Sequence, residues 1–277
     1  MLNILTLTWN NCERLTKLHD TLVPALDGID WKWFIKDNAS KDDTVAVASS
    51  WGDNVKVIKY KDNKQNFSEG CNFLFQEASP FDNDLIMLLN NDVIFNDIVS
   101  IKKMLSIIKN DSSVGMVGAR LLYTGTDLLQ HAGVIFDPTY RTPMHFRANQ
   151  KSDEAACQNR MFQVVTGAVA ITKAEYYKNA FDKNKSGIKG MDENYSWAFD
   201  DVDLSLSIKY NMNKKIVYCG ETNIFHEESA SLKKNPTNKL FLNHNLKYMF
   251  AKWSGKYTID REAYTKNPKH NLYVGPK

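Results

Sequence analysis

Two apolar periodicities take turns along the first part of the chain. Leu2-Asn3-Ile4-Leu5-Thr6-Leu7-Thr8 reads as a short strand, and Leu15, Leu18, Leu22 and Leu26 then recur at three- and four-residue spacing, which predicts an amphipathic helix. Trp33-Phe34-Ile35 predicts a second strand, ending in the polar segment Asp37-Asn38-Ala39-Ser40-Lys41-Asp42-Asp43-Thr44 and handing over to a helix. Val55-Lys56-Val57-Ile58 predicts a third strand, followed by a helix that starts within Asn66–Asn72 and runs to Ala78. Leu85-Ile86-Met87-Leu88-Leu89 does not alternate at all: five large apolar residues in a row fit a strand buried on both faces, as in a parallel sheet covered by helices. The pattern is βαβαβ with polar residues at successive strand ends.

In open α/β sheets the ligand crevice lies beyond the carboxyl ends of the strands. Asn90-Asn91-Asp92, which stops the apolar run, therefore sits where ligands bind. Asp92 is placed to offer a hard oxygen to a divalent cation able to bridge two phosphates. A plain turn explains the same three residues by local hydrogen bonding. A second acidic cluster, Asp200-Asp201-Val202-Asp203, opens a helix-like stretch, and the two clusters together suggest a metal–diphosphate site with a separate base. The competing explanation is a helix N-terminus favouring negative charge. If this stretch is helical, Asp203 points away from Asp201, because residues two apart lie on different faces. Gly167, between two strand-like runs, marks a close backbone approach, a bulge or simple packing.

Taken in order, Thr8-Trp9-Asn10, the Asp37-to-Thr44 segment, Asn66 with Gly70 and Asn72, Leu88-Leu89-Asn90-Asn91-Asp92-Val93, Val165-Thr166-Gly167-Ala168, Asp200-Asp201-Val202-Asp203-Leu204 and His226-Glu227-Glu228-Ser229-Ala230-Ser231 resemble the successive motifs of the family-2 inverting glycosyltransferases. Each motif is weak alone, but the ordered set is specific and spans roughly residues 1 to 232. The resemblance implies a GT-A fold: a mostly parallel nucleotide-binding sheet flanked by helices, with a smaller antiparallel acceptor-side portion. It implies a glycosyltransferase domain over residues 1–232, with 233–277 a C-terminal helix and basic, aromatic tail packed on or extending it.

Carried over residue by residue, the resemblance assigns Thr8, Asn10 and Asp37 to nucleobase recognition and places Asn38, Asn66, Gly70, Asn72, Asn90 and Asn91 on the donor side. Asp92 matches the last carboxylate of the family's Asp-X-Asp metal motif, and Asn90 stands where many members carry an acid. An amide carbonyl still ligates Mg²⁺ or Mn²⁺, with weaker charge neutralisation. His226 matches a histidine that approaches the metal or diphosphate, whereas a lone histidine is otherwise best read as satisfied by local hydrogen bonds. His131, His145 and His244 carry no comparable signal. Asp201 matches the general base. Asp200, where Glu is commoner, orients the acceptor or replaces that base, and Gly167 and Trp197 fall on the acceptor side. The implied partners are a UDP- or dTDP-sugar donor, a glycan or other hydroxyl acceptor, and Mn²⁺ or Mg²⁺. A nucleotide-sugar-binding or glycan-binding module without turnover is the alternative, favoured by the Asn90 departure. A modified nucleic acid as acceptor would leave the donor motifs unchanged.

Composition agrees with one large core: 277 residues, 43% of them apolar. The net charge of +3 gives no general electrostatic case for nucleic-acid binding. Cys12, Cys71, Cys157 and Cys219 are widely spaced, without a Cys-X-X-Cys pair, and read as free or buried thiols of a reducing compartment. No apolar run approaches the roughly 20 residues that span a bilayer, and the first strand is too interrupted for a signal peptide. The expectation is a cytoplasmic protein, free or peripheral to a membrane. Pro138–Asn159 shows no periodicity and is expected to be an acceptor-side loop. Lys239–Trp253 predicts a packed amphipathic helix. The tail beyond it interleaves Lys256, Arg261, Lys266 and Lys269 with Tyr257, Tyr264 and Tyr273, fitting either packing through the tyrosines or a ligand surface.

Overall fold

The computed structural model describes residues 1–64, 66–196, 198–227 and 238–276. Four parallel strands form the first half of a large sheet: β1 (Leu2–Thr8), β2 (Trp31–Asp37), β3 (Val55–Lys59) and β4 (Leu85–Leu89), in spatial order β3-β2-β1-β4. Helices α1 (Cys12–Ala25), α2 (Thr44–Ala48) and α3 (Phe67–Ala78) make the crossovers. The α1 stripe buries Leu15, Leu18 and Leu22, as its spacing predicts, and Leu26 is buried just beyond. Asn66 starts α3 with a capping box: its side chain accepts from the Glu69 N–H, and the Glu69 carboxylate accepts from the Asn66 N–H.

The apolar run of β4 is buried on both faces because helices cover both sides of the sheet. Leu85, Met87 and Leu89 join the core under α1 and the helix α4 (Ser100–Asn110). Ile86 and Leu88 join a second core with Phe34, Leu74 and Phe75 on the α3 side.

Beyond β4 the sheet changes direction. After the short β5 (Val93–Phe95) come β6 (Val114–Tyr123), β7 (Leu129–His131), β8 (Val134–Phe136), β9 (Pro143–His145), β10 (Arg160–Phe162), β11 (Val169–Lys173) and β12 (Lys215–His226). β11 lies antiparallel between β4 and β6, β12 runs parallel to β6 and antiparallel to β5 and β10, and β8 and β9 form a separate two-stranded sheet. The expected mostly parallel sheet with a smaller antiparallel part is what is found.

One local expectation needs correction. Pro138–Asn159 is not a featureless loop: it carries β9 and a 3₁₀ turn, Glu154–Cys157, whose Asp153 cap accepts from the Ala156 N–H. A strand of three residues and a single turn are too short to show a period. β12 runs through Tyr218 and Ile224 as one strand, with a register shift between Cys219 and Ile224.

After the short α5 (Ala174–Lys178), the acidic cluster opens α6 (Asp200–Leu206), which passes directly into a π-helical turn, Ser207–Asn211. α7 (Asn238–Trp253) and α8 (Arg261–Lys266) complete the chain. Met249, Trp253 and Tyr257 pack with Val134, Phe136, Tyr195, Val202 and Leu206 in a third apolar cluster. The tail tyrosines are packed residues: Tyr257 stacks on Phe136 at 4.3 Å, and Tyr264 on Phe162 at 4.3 Å. All four cysteines are free, and no helix among the described residues is long and apolar enough to cross a membrane.

Candidate active site

Parallel register sets the first part of the site. Thr8 and Asp37 are partners at the ends of β1 and β2, and the Asn38 N–H donates to the Thr8 carbonyl at 2.9 Å. Asn10 adopts φ 47, a left-handed conformation that asparagine tolerates. Its side-chain oxygen accepts from the Lys41 N–H at 2.7 Å, and its own N–H donates to Ser40 Oγ at 2.8 Å. The Asp37 carboxylate accepts from the Ser40 N–H at 3.0 Å and from the Ser40 hydroxyl. The two polar strand ends are thus tied into one rim.

Asn91 joins the rim by donating its side-chain N–H to Thr8 Oγ1 at 3.2 Å. Under the rim lies Lys36, wholly buried, with its ammonium 3.9 Å from the Tyr60 ring centre and donating to Asn38 Oδ1. Burial pulls its pKa down to about 8. A lysine inside an apolar strand gives no sequence sign of such a place.

Asp92 and His226 meet where β4 leads into β5. β5 pairs with the end of β12, Val93 opposite His226, and the Asp92 carbonyl accepts from the Glu227 N–H at 2.9 Å. His226 Nδ1 lies 2.6 Å from Gln130 Oε1, an acceptor, so Nδ1 carries the proton and Nε2 is the basic atom. Nε2 lies 3.0 Å from Asp92 Oδ1 and 3.2 Å from the Asn90 side-chain nitrogen. Asp92 Oδ1 is buried and accepts no hydrogen bond among the described residues. A basic nitrogen facing an orphaned carboxylate oxygen calls for a cation between them, a proton or a metal ion. Asp92 and His226 thus fit a divalent cation as a partial ligand pair, although no cluster of three or more His, Cys, Asp or Glu ligands occurs among the described residues.

The acidic pair is brought to the same sheet end by the antiparallel strand. Val169 of β11 is opposite Leu89, and the Asn90 N–H donates to the Ala168 carbonyl at 2.9 Å. One residue earlier, the Gly167 N–H donates to Asp201 Oδ2 at 2.9 Å, and the Val202 N–H donates to Asp201 Oδ1 at 2.8 Å. Asp200 is buried beside it and accepts from the Asp201 N–H at 3.1 Å. Desolvation, then the neighbouring Asp201 charge, pushes the Asp200 pKa up to about 7.

Asp203 turns the other way, into the fold. Its carboxylate accepts from Trp253 Nε1 at 2.6 Å, Tyr195 OH at 3.0 Å and Lys252 Nζ at 2.8 Å, tying α7 to α6. His131, without a sequence signal, also lies here: Nε2 accepts from the Thr166 N–H at 3.4 Å and Nδ1 is 2.8 Å from His145 Nδ1. Burial and the neighbouring histidines hold it far below the usual imidazole range, so it is neutral.

The α3 residues occupy a supporting position. Asn66 donates to the Glu193 carbonyl at 2.9 Å. Gly70 packs so closely on β1 that a Cβ there would lie 2.6 Å from a Leu7 methyl. Asn72 is buried with its amide fully engaged: it donates to the Met191 carbonyl and Glu193 Oε1, and accepts from Tyr177 OH and the Met191 N–H. It clamps the segment leading to the acidic pair. Trp197 and the residues Glu228–Ser231 lie outside the described residues.

The family model for glycosyl transferase family 2 matches residues 4–173. This chain belongs to glycosyl transferase family 2. Solved structures show that this family-2 glycosyltransferase has a GT-A fold, although at low identity. It aligns with the 1–349 fragment of S. aureus TarS in complex with UDP-GlcNAc at TM-score 0.62 and 12% identity, covering 97% of this chain and 72% of that one. GalNAc-T7 with UDP, GalNAc and Mn²⁺ aligns at TM-score 0.66 and 11% identity over 100% of this chain and 52% of that one. The mannosyltransferase PcManGT from Pyrobaculum calidifontis, in complex with GDP-Man and Mn²⁺, gives TM-score 0.59 and 13% identity over 95% and 69%. No curated protein matches the sequence.

Proposed function

We propose that this glycosyltransferase is an inverting, divalent-cation-dependent enzyme that moves a sugar from a UDP- or dTDP-sugar to a hydroxyl of a glycan acceptor. The observation that carries the reading is Asp201, oriented by the Gly167 N–H at the same sheet end as the facing pair Asp92 and His226. Base and leaving-group stabiliser are then separate groups, as a single displacement requires. The acceptor oxygen attacks the anomeric carbon from the face opposite the diphosphate. Its proton passes to Asp201, the new C–O bond forms, and the electron pair of the breaking bond leaves with the diphosphate. Asp201 has both oxygens hydrogen-bonded by backbone N–H groups, which fixes the direction from which a proton is taken.

Asp92 and His226 would hold the divalent cation, which when bound neutralises charge on the leaving diphosphate. Thr8, Asn10, Asp37 and Asn38 form the rim that would take the nucleobase, with Asn90 and Asn91 beside the diphosphate. The nucleotide-sugar complexes of TarS and PcManGT and the Mn²⁺ in GalNAc-T7 and PcManGT support a nucleotide-sugar donor and a divalent metal.

A screen of nucleotide-sugars for nucleoside diphosphate release, with and without Mn²⁺, tests it. Mn²⁺-stimulated release from one donor, lost in Asp92→Ala, is the expected result. Tight donor binding with no release from any donor, with or without glycan acceptors, would mark a binding module instead.

A further inference from the structure

Away from the strand ends, a cavity of about 610 Å³ opens between β9, the segment after it, β10 and α8. That volume suits a small organic ligand. Its walls include Ile135, Phe146, Tyr218 and Tyr264. Three arginines also line it, and they differ in one respect. Arg147 is held by Asp153 at 2.6 Å and 2.8 Å, and Arg261 by Asp137. Arg160 has no carboxylate partner among the described residues; its Nη2 donates to the Pro268 carbonyl and, at 3.4 Å, to the Ala155 carbonyl. It is only 4% exposed, and its Nε makes no hydrogen bond among the described residues.

A guanidinium cannot shed its proton at any ordinary pH, so burial leaves Arg160 charged. A buried charge with no carboxylate in contact, the cavity's Asp153 being engaged by Arg147, is costly. An oxyanion in the cavity supplies a counter-charge, because guanidinium donors match carboxylate and phosphate oxygens.

We propose that this cavity is a binding site for a small molecule bearing an oxyanion, phosphate or carboxylate, with Arg160 as its counter-charge and the aromatic walls holding its body. The proposal stands whether or not Asp201 is the transferase base. The site also assigns a role to part of the basic, aromatic tail: Arg261 and Tyr264, on α8, form one wall. The cavity communicates with the catalytic end through side chains, since His145 lines it and touches His131, whose other nitrogen accepts from Thr166 beside Gly167.

The test is a titration of ¹⁵N-labelled protein with inorganic phosphate and, separately, with glucuronate, in EDTA and at constant ionic strength, following amide shifts in residues 258–272. Saturable shifts with at least one anion are expected, and the tighter one identifies the oxyanion. Affinity should fall about tenfold or more in Arg160→Gln, the loss of one charge-assisted pair, and less in Arg160→Lys. Thr265→Trp, an exposed rim position that fills the cavity without altering Arg160, should also abolish the shifts and serves as the deciding variant if Arg160→Gln fails to fold. Lys256→Gln, outside the cavity, should bind as wild type. No saturation by either anion, or unchanged affinity in the folded Arg160 and Thr265 variants, overturns the proposal.

Discussion

The Gly167 N–H donates to Asp201 Oδ2 at 2.9 Å, so a residue two positions before β11 sets the position of a carboxylate in α6. A Cβ on Gly167 would lie 3.1 Å from Asp201 Cβ, tight enough to displace α6 by a few tenths of an ångström. Gly167→Ala is therefore expected to reduce transfer by roughly 10²-fold through misplacement of the proposed base while leaving thermal stability nearly unchanged. Single-turnover rates beside a melting curve check this; a large loss of stability with normal single-turnover chemistry would assign Gly167 to packing alone.

Asp201→Asn keeps the shape of the side chain and removes its capacity to take a proton. Donor binding should survive, and transfer should fall by roughly the 10²–10⁴-fold that a general base contributes. Asp200→Asn is expected to be milder, because Asp200 is buried and already bonded to the Asp201 N–H. Steady-state kinetics on both variants decide between them. The reverse order of severity would move the base to Asp200.

The raised Asp200 pKa makes a prediction about stability and pH. A carboxyl whose folded pKa is about 7, against the ordinary aspartate value of 3.8, favours the folded state most when protonated. Its contribution is fully present below about pH 4 and is lost as pH rises through about 7. In metal-free protein the melting temperature should therefore show a declining component across that window, and Asp200→Asn should flatten it. Thermal scans at closely spaced pH values in EDTA measure the difference; parallel wild-type and variant profiles would exclude Asp200 as the source.

The residues that sequence reading reached and those it did not differ in where their partners lie. β4 was legible because burial on both faces needs only consecutive apolar residues, and the start of α3 within Asn66–Asn72 was legible too, while the capping box that fixes it at Asn66 was passed over although it spans only four positions. The acidic cluster was legible as a helix start, and the divergence of Asp203 from Asp201 followed from helix geometry. The reason for that divergence was not legible, since Trp253 and Lys252 lie about fifty residues away in sequence. Asn72 carried a motif match, yet its partners Tyr177 and Met191 are more than a hundred residues distant, and only the fold shows that its amide is fully used. Lys36 gave no signal and His131 none comparable to that of His226, because burial of a polar side chain depends on tertiary neighbours, not on local spacing.

If Asp92 and His226 hold a divalent cation as proposed, their removal has a measurable consequence. Asp92→Ala should abolish Mn²⁺-dependent binding of nucleoside diphosphate, and His226→Ala should weaken it by about 10-fold to 100-fold, leaving metal-independent binding at the Thr8–Asp37 rim in place. Calorimetric titration of UDP with and without Mn²⁺ gives both numbers. Unchanged Mn²⁺ dependence in Asp92→Ala would be incompatible with the assigned site.

Trp253 separates the structural role of the C-terminal helix from a role in acceptor recognition. Its ring is 1% exposed, and its N–H reaches the buried Asp203 carboxylate at 2.6 Å, in the helix that carries Asp201. Trp253→Ala should cost about 3–5 kcal/mol by removing a large buried ring. Trp253→Phe keeps most of the ring and leaves one bond to a buried charge unmade, a cost of about 1.5–3 kcal/mol. If α7 acts by holding α6, donor hydrolysis and transfer should fall together in Trp253→Phe, and both should recover in proportion as the sample is cooled away from its unfolding transition. A rise in acceptor KM with donor hydrolysis and denaturant midpoint both unchanged would instead place this helix in acceptor binding. The network of Tyr195, Lys252 and Trp253 on one carboxylate makes the concerted loss the expected outcome, because each bond removed loosens the same short helix that positions Asp201.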